Sequence, residues 1–183
     1  MTDIADTTAS KPRAKKAAYL ELLDDADQQR IRADLTTFFG PRAEVFLDIY
    51  EKMRSGSGRR RAAPISWNWP VFLGSFTWFF YRKMYAYGAM IIILPIILGY
   101  LLGSAGSALP IVFAMWAKGW YVTHALNRIV KADKLGLMGA ERTDYLQRAG
   151  GVSLPAGIFA GLLFAALLAF AILAATMDPK AGH

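Results

Sequence analysis

The chain has 183 residues, 55% of them hydrophobic, a formal net charge of +7 and no cysteine. The length is that of one domain, and the hydrophobic share exceeds the ~45–50% of ordinary soluble domains. The missing cysteines exclude disulfides, thiol catalysis and cysteine-ligated metal or iron–sulfur centres. The basic residues cluster beside apolar stretches, where topology-setting cations belong. No nucleic-acid-binding signature accompanies them, so no nucleic acid partner is expected.

Residues 1–17 are small, polar and charged, and predict a disordered tail. No apolar stretch follows Lys11–Lys16 closely enough for a cleaved signal peptide. Residues 18–63 predict a cytoplasmic helical arm and a basic linker. A helix is expected over 18–35, with Leu20, Leu23, Ile31 and Leu35 as a thin apolar set, ended by Gly40-Pro41. Over 42–53, Val45, Phe46, Ile49, Tyr50 and Met53 share one helix face, and such a short amphipathic helix needs a surface to pack on. Ser55-Gly56-Ser57-Gly58 reads as a flexible linker. Arg59-Arg60-Arg61 follows as a topology-setting cluster.

Residues 64–183 predict the membrane domain. The aromatic run over 67–81 has only 12 residues from Pro70 to Tyr81 before the Arg82-Lys83 pair. Twelve residues are too few to span a bilayer, and fusing the run to the next span would place two cations in hydrocarbon. An interfacial segment is expected instead, carried by Trp67, Asn68, Trp69, Pro70, Phe76, Trp78, Tyr81, Arg82, Lys83 and Tyr85. Spans are expected at about 85–102, 109–129 and 154–177. Gly103–Ser107 forms a turn between the first two, and a polar connection over 132–151 carries a short helix. Arg59, Arg60, Arg61, Arg82 and Lys83 precede the first span. Arg128, Lys131, Lys134, Arg142 and Arg148 lie between the second and third. The N-terminus is therefore expected in the cytoplasm and the C-terminus outside. The fold class expected is an all-α membrane protein of three transmembrane helices with an interfacial aromatic helix and a cytoplasmic amphipathic arm.

Few residues suggest chemistry. His124 has no second ligand at helical spacing and His183 is terminal, so no metal site and no cofactor are expected. No nucleophile–base ordering or phosphate-cradling glycine loop is present, and no catalytic residue is assigned. Lys118 stands nine residues into the second span with Tyr121 on its side of the helix. An intramembrane cation suggests an ion pathway, but a lysine this close to the helix end can also snorkel to the headgroups. Gly157, Gly161, Ala165 and Ala169 recur every four positions, a row of small residues that suits helix packing within the chain or between copies.

Trp67-Asn68-Trp69, the aromatic run to Trp78-Phe79-Phe80-Tyr81 and the following Arg82-Lys83-Met84-Tyr85 resemble a bacterial family of small inner-membrane proteins grouped under a domain of unknown function. Phe39–Glu44 leading to Tyr50–Met53, and Tyr121–Lys134 followed by Ala149-Gly150-Gly151, resemble its flanking parts. The resemblance covers about 38–151. It implies a multi-pass protein of the bacterial cytoplasmic membrane with a periplasmic C-terminus, and it transfers no catalytic residue.

The leading functional expectation is a non-catalytic accessory protein that binds or organises a larger membrane complex or membrane lipids, or that self-associates through the third span. The alternative is a small transporter or channel subunit using the Lys118 face.

Overall fold

The computed structural model describes residues 18–57, 61, 64–102 and 109–177. The expected tail over 1–17, Gly58, Arg59 and Arg60, the turn at 103–107 and the tail 178–183 with His183 lie outside the described residues. Among the described residues the chain is all-α and has no strand. In chain order the helices are α1 (Ala18–Leu22), α2 (Gln28–Phe39), α3 (Ala43–Ser55), α4 (Trp69–Gly74), α5 (Thr77–Tyr81), α6 (Tyr85–Leu102), α7 (Leu109–Lys134), α8 (Gly139–Ala149) and α9 (Leu154–Met177).

The single helix expected over 18–35 is two helices. Asp24, Asp25 and Asp27 supply turn-forming side chains, and the Asp27 carboxylate caps α2 by accepting from the Arg30 amide at 3.0 Å. The Gln28 amide donates to the Leu22 and Asp25 carbonyls at 3.2 and 2.6 Å, closing the end of α1. Gly40, with φ +70°, and Pro41 open a 3-10 turn that brings α3 against α2. The Tyr50 hydroxyl then reaches Gln28 Oε1 at 2.5 Å, and Arg32 pairs with Glu51 at 2.5 Å.

α7 is the spine of the molecule. Helices α1, α2, α3, α4 and α8 all contact it. Its 26 residues rise about 39 Å, more than a ~30 Å hydrocarbon core requires. The second span was expected over 109–129, but from Tyr121 onward the helix serves another purpose. Tyr121, Val122, Ala125, Leu126, Ile129 and Ala132 are buried, and helices of the arm contact α7. That stretch is core of the arm, and the helix runs on to Lys134.

The stretch 139–173 contains the one window among the described residues long and apolar enough to cross a membrane. The break at 150–153 assigns it to α9, whose 24 residues are largely exposed. α6 is also apolar but shorter, at 18 residues. α7 becomes too polar after Trp116, with Lys118, His124, Asn127 and Arg128 within four turns.

Two features fix the polar connection between α7 and α9. Arg142 pairs with Asp34 at 2.6 Å and with Asp133 at 2.7 Å, tying α8 to α2 and α7. Both Arg142 and Asp34 have side chains only 12% exposed, so removing either partner would strand a buried charge. Beside them the Gly150-Gly151 pair closes on the end of α2. The Gly151 amide donates to the Phe38 carbonyl at 2.7 Å with φ +66°. A Cβ on Gly150 would stand 2.1 Å from that same oxygen.

Gly150→Ala is therefore expected to destabilise the protein by about 1–3 kcal/mol, the cost of forcing an atom into a closed backbone contact. Gly99→Ala, at an open position in α6, serves as the control and should be neutral or stabilising. Thermal unfolding in a neutral detergent separates the two. Equal melting would mean that α2 does not close on the Gly150 turn.

Candidate functional site

The aromatic run expected as one interfacial segment is two short helices meeting at an angle. Ser75 breaks it with φ 48°, and its amide caps α4 by donating to the Val71 carbonyl at 2.8 Å. Pro70 sits in the first turn of α4, as its missing N–H allows. Val71, Phe76, Trp78 and Phe79 are buried, so the run is built into the core. α4 lies against α7 and α5 against α9.

Adjacent cations at the end of α5 go opposite ways. Lys83 adopts φ 58°, turning the chain into α6, and its ammonium donates to the Arg148 carbonyl at 2.9 Å. Arg82 turns inward and is only 6% exposed. Its guanidinium carbon stands 5.0 Å from the Phe46 ring centre, 5.2 Å from Tyr121, 5.8 Å from Tyr81 and 6.0 Å from Trp78. These rings come from α3, α7 and α5. An arginine suits this cage because its planar, weakly hydrated cation can lie over ring faces.

Two clefts flank the cage. One, of about 190 Å³, is bordered by Arg42, Arg82 and Lys118 together with Trp67, Asn68 and Trp69. The other, of about 420 Å³, runs from Arg42 and Arg82 along Leu154, Gly157, Ile158 and Gly161 of α9. Arg42, Pro70, Trp78 and Arg82 border both. No carboxylate lines either cleft, and none of Arg42, Arg82 and Lys118 forms an ion pair among the described residues. Three residues bordering the first cleft carry a buried donor, Trp67 Nε1, Asn68 Nδ2 and Arg82 Nε, that has no hydrogen-bond partner among the described residues. Cations and unused donors without an acceptor make a surface complementary to an anion.

The other expected site residues take varied places. Trp67 is half-buried and Trp69 exposed, their rings edge to face at 5.4 Å. Asn68 is 3% exposed. Phe76 meets Phe164 of α9 at 5.9 Å, and the half-exposed Tyr85 meets Phe80 at 5.9 Å. Tyr121 is buried, and its hydroxyl approaches the Gly151 carbonyl at 3.4 Å. Lys118 is half-buried one turn above it. Along α9, Gly157 packs on Tyr81, where a Cβ would come within 2.9 Å of the ring. A Cβ on Gly161 would meet nothing within 4 Å, and Ala165 and Ala169 are exposed. The four small residues are thus not drawn together against one helix.

Sequence reasoning missed Arg42 and Phe46 as site residues. Arg42 reads as an ordinary helix-start cation and Phe46 as one member of an amphipathic face. No local signal announces that the 3-10 turn carries both toward residues some forty positions later. The chain matches no family model, no curated protein and no solved structure, and the chemistry of this site is read from its own side chains.

Proposed function

We propose that this is a non-catalytic accessory protein of the bacterial cytoplasmic membrane that holds an anionic ligand at the level of the cytoplasmic headgroups. The observation that carries the proposal is the convergence of Arg42, Arg82 and Lys118 on clefts without a carboxylate, beside three buried donors lacking acceptors. Burying a charge costs several kcal/mol, and each ring contact returns about 0.5–2 kcal/mol. The cage offsets much of that cost for Arg82 without neutralising it. An anion would complete it.

In this reading α9 crosses the membrane, while α6 and the first part of α7, whose residues 109–120 rise only about 18 Å, form an apolar hairpin that enters the bilayer from the arm side without α7 crossing it. The arm, α8 and the lower part of α7 lie in the cytoplasm. Several features support that placement. Trp120 of α7 lies beside Tyr87 at the start of α6, with ring centres 5.9 Å apart, so the two helices share one polar boundary near Lys118 and Arg82. α9 starts at the same level, where the Ser153 amide donates to the Tyr81 carbonyl at 2.8 Å. Lys118 then sits at the boundary, and its ammonium reaches the headgroup layer without crossing hydrocarbon. The excess of cations on the arm side supports an N-in, C-out orientation. The bacterial inner-membrane assignment rests on the resemblance over 38–151.

Single introduced cysteines report topology cleanly in a chain with none of its own. Ser57→Cys should be shielded from a membrane-impermeant thiol reagent in intact cells, and Ala181→Cys, beyond α9, should be labelled. The reverse pattern would overturn the orientation. For the ligand, Trp67, Trp69 and Trp78 border the first cleft and serve as built-in reporters. Inorganic phosphate added to protein in neutral detergent should change tryptophan emission saturably. Arg42→Gln and Lys118→Gln should each weaken the apparent affinity by roughly five-fold. A titration unchanged by both substitutions would contradict an anion site here.

A further inference from the structure

We infer that this site takes a single phospholipid with an acidic headgroup, its phosphate on Arg42, Arg82 and Lys118 and one acyl chain laid along α9 at Gly157 and Gly161. The inference rests on the anion-binding reading above and adds the chemical class of the ligand and the path of its tail.

The two clefts differ in chemistry in the way a lipid does. The first is bordered by the cations and by Asn68, and Asn68 and Arg82, 3% and 6% exposed, each carry a buried donor without a partner among the described residues. The second leaves that cationic end and passes between Tyr81 and the apolar side chains of Leu154 and Ile158. They share Arg42, Pro70, Trp78 and Arg82 as lining, so a molecule in the second cleft still meets two of the cations that border the first. A soluble phosphoester would satisfy the first cleft and leave the second empty. A phospholipid satisfies both.

Direction along the helix agrees. Gly157 and Gly161 lie about one and two turns beyond Leu154, roughly 5 and 10 Å farther from the cation level along α9. A chain following them runs parallel to the membrane helix, as an acyl tail does. The missing side chain at Gly161 is what keeps the groove open, since a Cβ there would meet no protein atom within 4 Å. Gly157 is a close-packing glycine against Tyr81 and forms the groove floor. The cytoplasmic leaflet supplies anionic lipids to basic sites near the surface, and charge complementarity selects them over zwitterionic ones.

The test uses the full chain purified in a neutral detergent from vesicles holding equal amounts of phosphatidylglycerol and phosphatidylcholine. Native mass spectrometry counts the lipid retained. One phosphatidylglycerol per chain is expected, favoured over phosphatidylcholine by roughly five-fold or more. Gly161→Leu fills the groove at an open position and should remove the retained lipid while leaving the tryptophan response to inorganic phosphate intact. Arg42→Gln with Lys118→Gln should weaken both. Equal retention of the two lipids, or undiminished retention in Gly161→Leu, would overturn the lipid assignment even with a normal phosphate response. Loss of the phosphate response in the parent protein would instead overturn the anion site itself.

Discussion

The structure depends on one buried cation. Arg82 ends the aromatic run at a point where the chain must turn into α6, and its guanidinium lies among rings from α3, α5 and α7. Those three helices belong to different parts of the chain: the arm, the aromatic run and the spine. Ring stacking on a planar cation is directional, so the cage fixes how the arm approaches α5 and α7 as well as holding it there. The same aromatic cluster extends outward through Phe38, Phe39 and Tyr121, which meet at ring separations of 5.3 to 5.8 Å.

This arrangement explains why α7 is so long. A helix that served only to cross would end near the headgroups and hand over to a loop. Here the lower turns bury Val122, Ala125, Leu126 and Ile129 within the core. A helical arm with only a thin apolar face lacks the area to be stable alone. Packing on the long, rigid α7 supplies it. The charged network of Arg142 with Asp34 and Asp133, and the closed Gly150 turn, then lock α8 over the end of α2.

Much of the helical layout is legible in the sequence, because it follows from local chemistry. α6 and α9 are continuous apolar runs, α3 shows its buried face in Phe46, Ile49, Tyr50 and Met53, and the Gly40-Pro41 break is where the turn occurs. The misreadings arise where tertiary contact overrides local pattern. Apolar periodicity in α7 looks the same whether lipid or the arm covers it, so a span over 109–129 is read where the arm covers the helix from Tyr121 onward. The break between α1 and α2 depends on a side-chain cap that competes with an otherwise acceptable helix. Of the site, the aromatic run and Lys118 are visible in the sequence, but Arg82 and Lys83 are indistinguishable as neighbours. Only the left-handed backbone at Lys83 decides that one faces inward and the other out.

The claim on which the rest stands is that Arg82 and Phe46 join the arm to the aromatic run through a direct cation–ring contact. A double-mutant cycle measures that contact alone. Unfolding free energies of the parent, Arg82→Met, Phe46→Leu and the double variant, all in the same neutral detergent, give the coupling. A favourable coupling of about 0.5–2 kcal/mol is the predicted result. Strictly additive effects would show that the guanidinium and the ring do not interact, and would contradict the cage as the hinge of the fold.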